Sequence, residues 1–252
     1  MEQQELEQKR FHEICQQVIH DKITREGIGT LGEKTLHAVL KKYFEPMEEY
    51  HEIKVGRYVA DILHGADIIE VQTKQFNKLR SKLKAFLPQY DVTVVHPILV
   101  RKWIYWIEPE TGEISGGRRS PRKRSKYDIF VELYKIKEAL SNPNFHLCLV
   151  LLEAEEYRML NGWSKDKKKG SVCSDRLPKE LIDLIYVNDR EDYQQFLPQG
   201  LEAGYSSKEF AKAAGISVSL AQVTLNVLYE LKVVKRIGKK GNAFLYESAM
   251  TR

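Results

Sequence analysis

The sequence predicts an α/β fold with a mixed sheet, followed by a smaller C-terminal domain. Apolar residues recur at helical spacing near the N-terminus, and short β-branched runs after them alternate with a further helical segment. From about residue 188 the pattern changes to two short helices around a glycine, followed by a basic hairpin. We therefore predict an α/β domain over residues 1–187 and a second domain over residues 188–252.

The composition is that of an ordinary globular protein with a mild excess of positive charge. Hydrophobic residues make up 42% of the 252 positions, charged residues 30%, and the formal net charge is +5. No apolar run approaches the ~20 residues of a membrane span, so we expect no membrane partner. The polar N-terminus is not typical of a signal peptide. The three cysteines lack CxxC spacing, which argues against a disulfide framework or structural zinc and favours a reducing cytoplasm.

Basic residues are clustered in three segments, and this distribution says more about partners than the net charge does. The segments are residues 118–126, 165–169 and 235–240. Such runs favour a polyanionic partner through counterion release, and a solvated loop stays the alternative for each of them.

The first predicted elements are two helices separated by a glycine-rich segment. Residues 3–24 carry apolar side chains near the helical period. Residues 27–32 read GIGTLG, but this motif follows a helix, whereas a dinucleotide-binding motif must follow a strand. Thr30 and Glu33 instead fit a capping box that begins a second helix over residues 31–43.

The next part of the chain predicts three strands, a helix and a fourth strand. Residues 51–55, 58–63 and 67–74 are the three extended segments, separated by glycines. Residues 76–86 have helical spacing and end before a proline, and residues 91–99 form a β-rich run typical of a central strand. The predicted order is therefore α-β-β-β-α-β.

Beyond residue 100 the sequence predicts a hairpin, a helix, a buried strand, a loop and a short helix. The ranges are a hairpin over 102–115, a helix over 127–140, a strand over 145–152, an exposed loop over 161–174, and a helix over 181–186 or near Asp192.

Two carboxylates and two further polar residues lie on neighbouring predicted strands. Asp61 follows one apolar strand segment, and Glu70, Gln72 and Lys74 share one face of the next because they are two residues apart. Polar side chains in an apolar strand need partners, since an unpaired buried charge is costly. A hairpin would bring Asp61 beside Glu70 as a hard-oxygen pair suited to Mg²⁺ or Mn²⁺, which can orient water for attack on a phosphodiester.

The order of these acids resembles the PD-(D/E)XK nuclease superfamily: a helix with Glu, a strand with Asp, then a strand with Glu-x-(Lys or Gln). The resemblance implies that Glu33 is the helical acid, Asp61 the first motif acid and Glu70 the second. Because Gln72 stands where the superfamily usually has Lys, the stretch is most similar to the competence-protein CoiA type of nuclease domain. It covers roughly residues 26–98 and implies a restriction-endonuclease-like core with Asp61 and Glu70 as metal ligands.

Two departures from that pattern leave the chemistry open. No proline precedes Asp61, and with Gln72 in place of lysine, either Lys74 or Lys54 would have to reach the scissile phosphate or the water. If neither does, the site binds metal without cutting. Structural interpretations also stay open: Glu33 as a helix cap, Asp61 as a turn residue and Lys74 as an exposed strand end.

Two later segments predict contacts with DNA. The helix after the acids has a basic face that either contacts the DNA backbone or is solvated: Asn77, Lys78, Arg80, Ser81, Lys82 and Lys84. At the C-terminus, Ser206 and Glu209 form a capping box for a helix over 207–214, and a turn at Gly215 leads to a helix over 218–231.

This C-terminal segment resembles the winged helix-turn-helix domains of transcription factors and mobile-element proteins. Its second helix would enter the major groove with an exposed polar face: Ser217, Ser219, Gln222, Thr224 and Asn226. Its basic hairpin would place a wing on phosphates: Lys235, Arg236, Lys239 and Lys240. The same fold also mediates protein contacts, and this stays an alternative.

These features predict a Mg²⁺- or Mn²⁺-dependent DNA endonuclease with a winged-helix DNA-binding module. The predicted catalytic residues are Glu33, Asp61, Glu70, Gln72 and Lys74, and the predicted metal ligands are Asp61 and Glu70. Cutting of both strands of a duplex would favour a homodimer. The alternatives are a non-catalytic DNA-binding regulator with a degenerate nuclease-like domain, and a protein-interaction module.

Overall fold

A computed structural model describes residues 2–26, 34–163 and 169–249 of the chain. They form an α/β fold in which a mixed sheet of mostly antiparallel strands is combined with helices. The α/β class and the mixed sheet predicted from the sequence are therefore confirmed. The glycine motif at 27–32 and the predicted capping box with Glu33 lie outside the described residues.

Helices and strands alternate along most of the described chain. The α-helices are α1 (Glu2–Glu26), α2 (Thr35–Phe44), α3 (Arg80–Phe86), α4 (Phe130–Leu133), α5 (Ser207–Ala214) and α6 (Val218–Glu230). The strands are β1 (His51–Val55), β2 (Tyr58–His64), β3 (Asp67–Val71), β4 (Asp91–Ile107), β5 (Ile114–Arg119), β6 (Phe145–Trp163), β7 (Lys169–Val187), β8 (Val234–Lys240) and β9 (Ala243–Ser248). Short 3-10 segments are Glu48–Tyr50, Phe76–Leu79, Lys126–Ile129, Tyr134–Ala139 and Glu191–Phe196.

The main sheet contains seven of the described strands, in the order β1-β2-β3-β4-β6-β7 with β5 paired to β4. β2 and β3 run antiparallel with Ile62 opposite Ile69, whereas β3 and β4 run parallel with Glu70 opposite Val94. Helix α3 lies in the connection between β3 and β4, as a parallel pair requires a crossover. β8 and β9 form a separate antiparallel hairpin.

The fold divides into two compact units, each built from three stretches of chain. The first unit comprises Met1–Ile53, Pro97–Arg124 and Val150–Leu184, and the second comprises Lys54–His96, Ser125–Leu149 and Ile185–Arg252. Strands β1, β4, β6 and β7 each begin in one unit and end in the other. The division predicted at residue 187 stays a prediction.

The first unit contains the two N-terminal helices. Phe11 of α1 packs edge-to-face on Tyr43 of α2, with ring centroids 5.5 Å apart. The carboxylate of Asp175 on β7 accepts hydrogen bonds from the backbone N–H of Thr35, at 3.0 Å, and from the Thr35 hydroxyl. A negative charge is thereby held at the N-terminus of α2, where the helix dipole favours it.

The second unit packs residues 76–86 against β3 and β4. The inward-facing residues are at most 3% exposed and form the predicted helical stripe: Phe76, Leu79, Leu83 and Phe86. Ile68 of β3 and Val94 of β4 are fully buried. The hairpin with Asp61 and Glu70 therefore belongs to the same unit as α5, α6 and the β8–β9 hairpin.

The C-terminal elements follow the predicted limits because local signals set them. Ser206 and Glu209 form the capping box of α5, and Gly215 ends that helix with φ of +64°. Ser217 caps α6 by accepting the backbone N–H of Leu220. Among the described residues no single helix is long and apolar enough to span a membrane, although α5 and α6, bent by 107°, satisfy those limits as a pair.

Several predicted elements are wrong in extent or type. The third strand ends at Val71 and not at residue 74, because the chain turns through Gln75, whose φ is +62°. The predicted helix over 127–140 is broken into α4 and flanking 3-10 segments. β7 covers the described part of the predicted loop after residue 168.

The same strand also covers residues 181–186, which were predicted to be helical, while the alternative position near Asp192 is a 3-10 segment. A short apolar run does not distinguish a helix from a buried strand, and the pairing of β7 with the preceding strand β6 decides it here.

Candidate functional site

Asp61 and Glu70 face each other across the β2–β3 hairpin. The antiparallel register pairs Ile62 with Ile69, so one step further along the hairpin places Asp61 opposite Glu70. Asp61 Oδ2 accepts a hydrogen bond of 2.8 Å from the backbone N–H of Val71. The hairpin thus brings together the two acids that the sequence predicted to be neighbours.

Glu70 is buried, and Lys82 of α3 reaches it. The Glu70 side chain is 3% exposed, and Lys82 Nζ donates to both of its carboxylate oxygens at 2.7 and 2.9 Å. Lys82 lies three residues after Leu79 and four before Phe86, so it falls on the inward stripe of the helix. Packing of that stripe therefore directs the lysine toward β3.

The surroundings of Glu70 favour its protonated form. Burial raises the pKa of Glu70 because an ionised carboxylate loses hydration, and the charge of Asp61 raises it further. The hydrogen bonds and charge of Lys82 lower it only in part, so the pKa lies at about 7. Glu70 therefore exchanges its proton near neutral pH.

Gln72 and Lys74 do not continue the strand beyond Glu70. The Gln72 side-chain amide donates to the carbonyl oxygen of Lys74, and the Gln72 carbonyl accepts a 2.6 Å hydrogen bond from Nδ1 of His96. Lys74 is exposed. The i, i+2, i+4 alignment predicted for these residues is wrong at Lys74, because the strand has ended. The catalytic roles assigned to Gln72 and Lys74 stay predictions, as does that of Glu33, which lies outside the described residues.

The carboxylate donors of this site are few. Within the described ranges, no group of three or more His, Cys, Asp or Glu side chains is arranged to hold a metal ion. Mg²⁺ keeps several waters and is held in many sites by one or two carboxylates, so Asp61 and Glu70 are the residues that could hold it. Any cation bound there shares the Glu70 oxygens with Lys82.

Helix α6 exposes a narrow polar stripe. Ser219 and Gln222 are exposed, and Asn226, four residues on, is half-buried and accepts a 3.2 Å hydrogen bond from Nζ of Lys137. The prediction that Thr224 belongs to the exposed face is wrong, since it is fully buried. Thr224 lies on the same side of the helix as the buried Ala221 and Leu228.

The four basic residues of the β8–β9 hairpin have different surroundings. Arg236 is held between two aromatic rings, with its guanidinium carbon 4.1 Å from the ring centroids of Tyr229 and Phe244. Lys235 forms a 2.8 Å ion pair with Glu247. Lys239 and Lys240 are exposed, with Lys239 Nζ 4.8 Å from the Phe244 ring centroid. Exposed positive charge is therefore concentrated toward the hairpin tip.

Lys82 is the residue of this site that the sequence did not single out. It was grouped with an outer basic face, yet it interrupts an apolar stripe of residues 76–86. A lysine within an apolar stripe requires a buried or half-buried partner, and this signal would have identified it.

Comparison with known proteins places the chain in a family but assigns no activity. An uncharacterized protein of Treponema pallidum (strain Nichols) is 31% identical over 168 residues, which are 66% of this chain and 64% of that protein. The chain thus matches somewhat less than two thirds of that relative's length. No solved structure matches it. A family described as a domain of unknown function, DUF8091, matches residues 34–188, more than half of the chain, and the chain belongs to that family.

Proposed function

We propose that this protein is a metal-dependent DNA endonuclease with a PD-(D/E)XK-like core and a C-terminal winged helix-turn-helix that engages DNA. The observation that carries this proposal is the convergence of Asp61, Glu70 and Lys82 in one unit. Two carboxylates and a lysine are a set of groups that can support metal-dependent hydrolysis of a phosphodiester, and Lys82 would supply the cation that Gln72 lacks.

The chain's own groups have distinct tasks in this proposal. Asp61 and Glu70 would hold a hydrated Mg²⁺ or Mn²⁺, which supplies charge neutralisation and an oriented water. Lys82 stabilises the negative charge that develops on the phosphoryl oxygens as the water oxygen bonds to phosphorus. The attacking water gives up one proton to solvent, the phosphorus–oxygen bond to one sugar breaks, and the departing oxygen takes up a proton from solvent, so that one water is consumed for each bond cut.

In this proposal the protonation state of Glu70 controls whether the site can bind the cation. A protonated Glu70 is a poor cation ligand. Because the pKa of Glu70 is raised to about 7, much of its carboxyl group stays protonated and uncharged below that pH. Deprotonation leaves the carboxylate with both Lys82 and a bound cation as partners. The burial that raises the pKa also removes competing water from the carboxylate.

The C-terminal elements support DNA engagement in this proposal. α5 and α6 meet across a short turn, and a hairpin with a basic tip follows them. Ser219 and Gln222 are exposed at the start of α6, where a recognition helix contacts bases. Lys239 and Lys240 would contact phosphates, whereas Arg236 positions the hairpin by stacking between Tyr229 and Phe244.

The test is cleavage of plasmid and linear duplex DNA with Mg²⁺, with Mn²⁺ and with EDTA. We expect metal-dependent cutting that falls more than about 100-fold in Asp61→Asn and in Glu70→Gln. Asp67→Asn is the matched control, because Asp67 is in the same hairpin but opposite His64. It should cut like the wild type. Cutting that survives the first two substitutions would overturn the assignment.

The same assay shows whether Lys82 or Lys74 acts in place of the lysine that the resemblance expects at position 72. Lys82→Met should lose roughly as much activity as the carboxylate variants, since it removes the cation at Glu70. Lys74→Met should lose little, since Lys74 is exposed beyond the strand end. The reverse result would give the role to Lys74.

A non-catalytic DNA-binding regulator is the second candidate, and one observation favours it. Lys82 donates to both carboxylate oxygens of Glu70, and such an ion pair would occupy the ligands of a metal site that no longer binds metal. Salt-dependent duplex binding without cutting in either metal would support the regulator. Absence of any duplex binding would eliminate both candidates.

A further inference from the structure

We propose that a basic groove between α3 and the 3-10 segment Tyr134–Ala139 binds the phosphate backbone of the duplex that α6 engages. This inference rests on the proposed DNA binding but not on catalysis. The groove has a volume of about 550 Å³ and lies wholly within the second unit. Its lining includes four cationic side chains, Arg80, Lys84, Lys135 and Lys137, and the carboxylate of Glu138. Lys135 and Lys137 also pair with Glu132 and Glu230, which lie outside the lining, so Lys84 is the cation best placed for a phosphate.

The walls of the groove are fixed to each other. Arg80 Nε donates a 2.6 Å hydrogen bond to the carbonyl oxygen of Lys135, which joins α3 to the 3-10 segment. Lys135 Nζ is 2.6 Å from Glu132 Oε1, and the other Glu132 oxygen accepts the backbone N–H of Phe76 at 2.8 Å. The cations are therefore presented by a braced scaffold, which lowers the entropy lost on binding an anion.

The two faces of α3 have separate uses. Arg80 and Lys84 are one turn apart on the outer face, whereas Lys82 points inward to Glu70. Within the described chain Lys84 makes no hydrogen bond or ion pair, and it is exposed. A cation without a protein partner on the wall of a groove is free to contact a phosphate.

Lys137 connects the groove to α6. Its Nζ lies 3.2 Å from Asn226 Oδ1 and 3.8 Å from Glu230 Oε1, both on α6. Asn226 continues the exposed stripe of Ser219 and Gln222. The groove thus adjoins the polar face of α6 inside one unit. A duplex read by that face would bring its backbone over the groove cations, and their charge is complementary to phosphate.

The test measures duplex binding without cleavage. In EDTA, the affinity of the full chain for a linear duplex is followed by fluorescence anisotropy over a range of salt concentrations. Lys84→Gln should weaken binding several-fold and reduce the slope of log K against log[salt] by about 1, the value of one lost phosphate contact. Lys84→Arg should restore both.

Lys9→Gln is the charge-matched control, because Lys9 is exposed on α1 of the first unit. If Lys9→Gln and Lys84→Gln weaken duplex binding equally, the proposal that the groove binds the backbone is wrong, because the affinity then depends only on the net charge of the protein. Unchanged binding in Lys84→Gln would also contradict the proposal. Saturable binding of adenosine monophosphate that needs Lys84, with duplex binding unaffected, would instead make the groove a small-ligand site. If the wild type binds no duplex, the proposed DNA-binding function fails as well.

Discussion

A glutamate buried in the second unit and one buried in the first unit have carboxylates with opposite electrostatic surroundings. Glu70 in the second unit is 2% exposed, and Glu156 in the first unit is 1% exposed. Burial and the charge of Asp61 raise the pKa of Glu70 to about 7. Burial also acts to raise the pKa of Glu156, but hydrogen bonds from neighbouring cations outweigh it and lower the pKa to about 2.

The difference lies in the number of cations. Three side chains from three strands converge on Glu156: Arg158 Nη1 at 2.7 Å, Arg176 Nε at 2.9 Å and Lys102 Nζ at 3.0 Å. Glu70 has Lys82, and this one cation is opposed by the charge of Asp61. A buried carboxylate with excess positive charge around it stays ionised well below the ordinary pKa of a glutamate.

Equal burial therefore does not imply an equal role. The Glu156 carboxylate has its partners inside the protein, and removal of one member of such a buried pair is destabilising. The Glu70 site leaves its carboxylate undercompensated, and a further cation would relieve the repulsion with Asp61. A buried carboxylate with a strongly raised pKa makes the Glu70 site a candidate functional site.

The largest effect expected from this comparison is on stability in the first unit. Glu156→Gln removes the carboxylate that pairs with three cations, and we expect a loss of about 3 kcal/mol in the free energy of unfolding, measured by urea denaturation. The value is at the low end for a broken buried ion pair because the cations are 25–30% exposed and regain some hydration.

The pH dependence of that loss has a definite sign. Because the pKa of Glu156 is lowered from its ordinary 4.5 to about 2, its stabilisation is present above pH 4.5 and disappears as the pH falls toward 2. The difference in the free energy of unfolding between wild type and Glu156→Gln should therefore become smaller as the pH falls from 4.5 toward 2. Glu155→Gln is the control, because Glu155 has one ion pair, of 3.4 Å with the exposed Lys179, and a hydrogen bond from the Tyr157 hydroxyl that Gln can also accept. It should cost less than about 1 kcal/mol. Equal losses from the two substitutions would contradict a special role for Glu156.

The second prediction concerns Glu70 and has the opposite sign. Glu70 keeps its proton in the folded state up to about pH 7, whereas the unfolded chain releases it near 4.5. Ionisation therefore costs stability as the pH rises through this window. Glu70→Gln, in EDTA, should gain roughly 1 to 3 kcal/mol over wild type between pH 5 and pH 8.

Glu138→Gln removes an exposed carboxylate from the same unit and should show a difference that changes little with pH. A constant offset for Glu70→Gln across that range would show that Glu70 is already ionised at pH 5.

Local signals explain which parts of the fold could be predicted from the sequence. The capping residues of α5 and α6 and the turn at Gly215 act within a few residues, so the limits of these helices were predicted closely. The order α-β-β-β-α-β was also correct. Asp61 and Glu70 could be paired in advance because a tight hairpin largely determines which residues face each other.

Non-local packing explains what could not be predicted. Residues 181–186 are extended because β7 pairs with β6, the strand that precedes it in the chain, and the apolar run by itself does not carry that information. Thr224 is buried through packing of α6, although threonine alone is compatible with an exposed face. Lys82 belongs to the site because the helix packs with that stripe inward, and a lysine by itself indicates a solvated position.

The smallest expected effect is a change in the pKa of Glu70, which tests the role of Lys82 directly. Lys82→Met removes the one cation that stabilises ionised Glu70, so the pKa of Glu70 should rise further, by roughly one pH unit. The measurement is a carboxyl ¹³C NMR titration of Glu70 in the full chain without metal. Lys84→Met, two residues along the same helix but on the outer face, should leave the titration unchanged. If both substitutions shift the pKa equally, the long-range charge of the helix controls Glu70 and the direct ion pair does not. If neither substitution shifts the pKa of Glu70, burial and Asp61 alone determine that pKa. Glu70 would then have no cation that affects its pKa, whereas Glu156 has three.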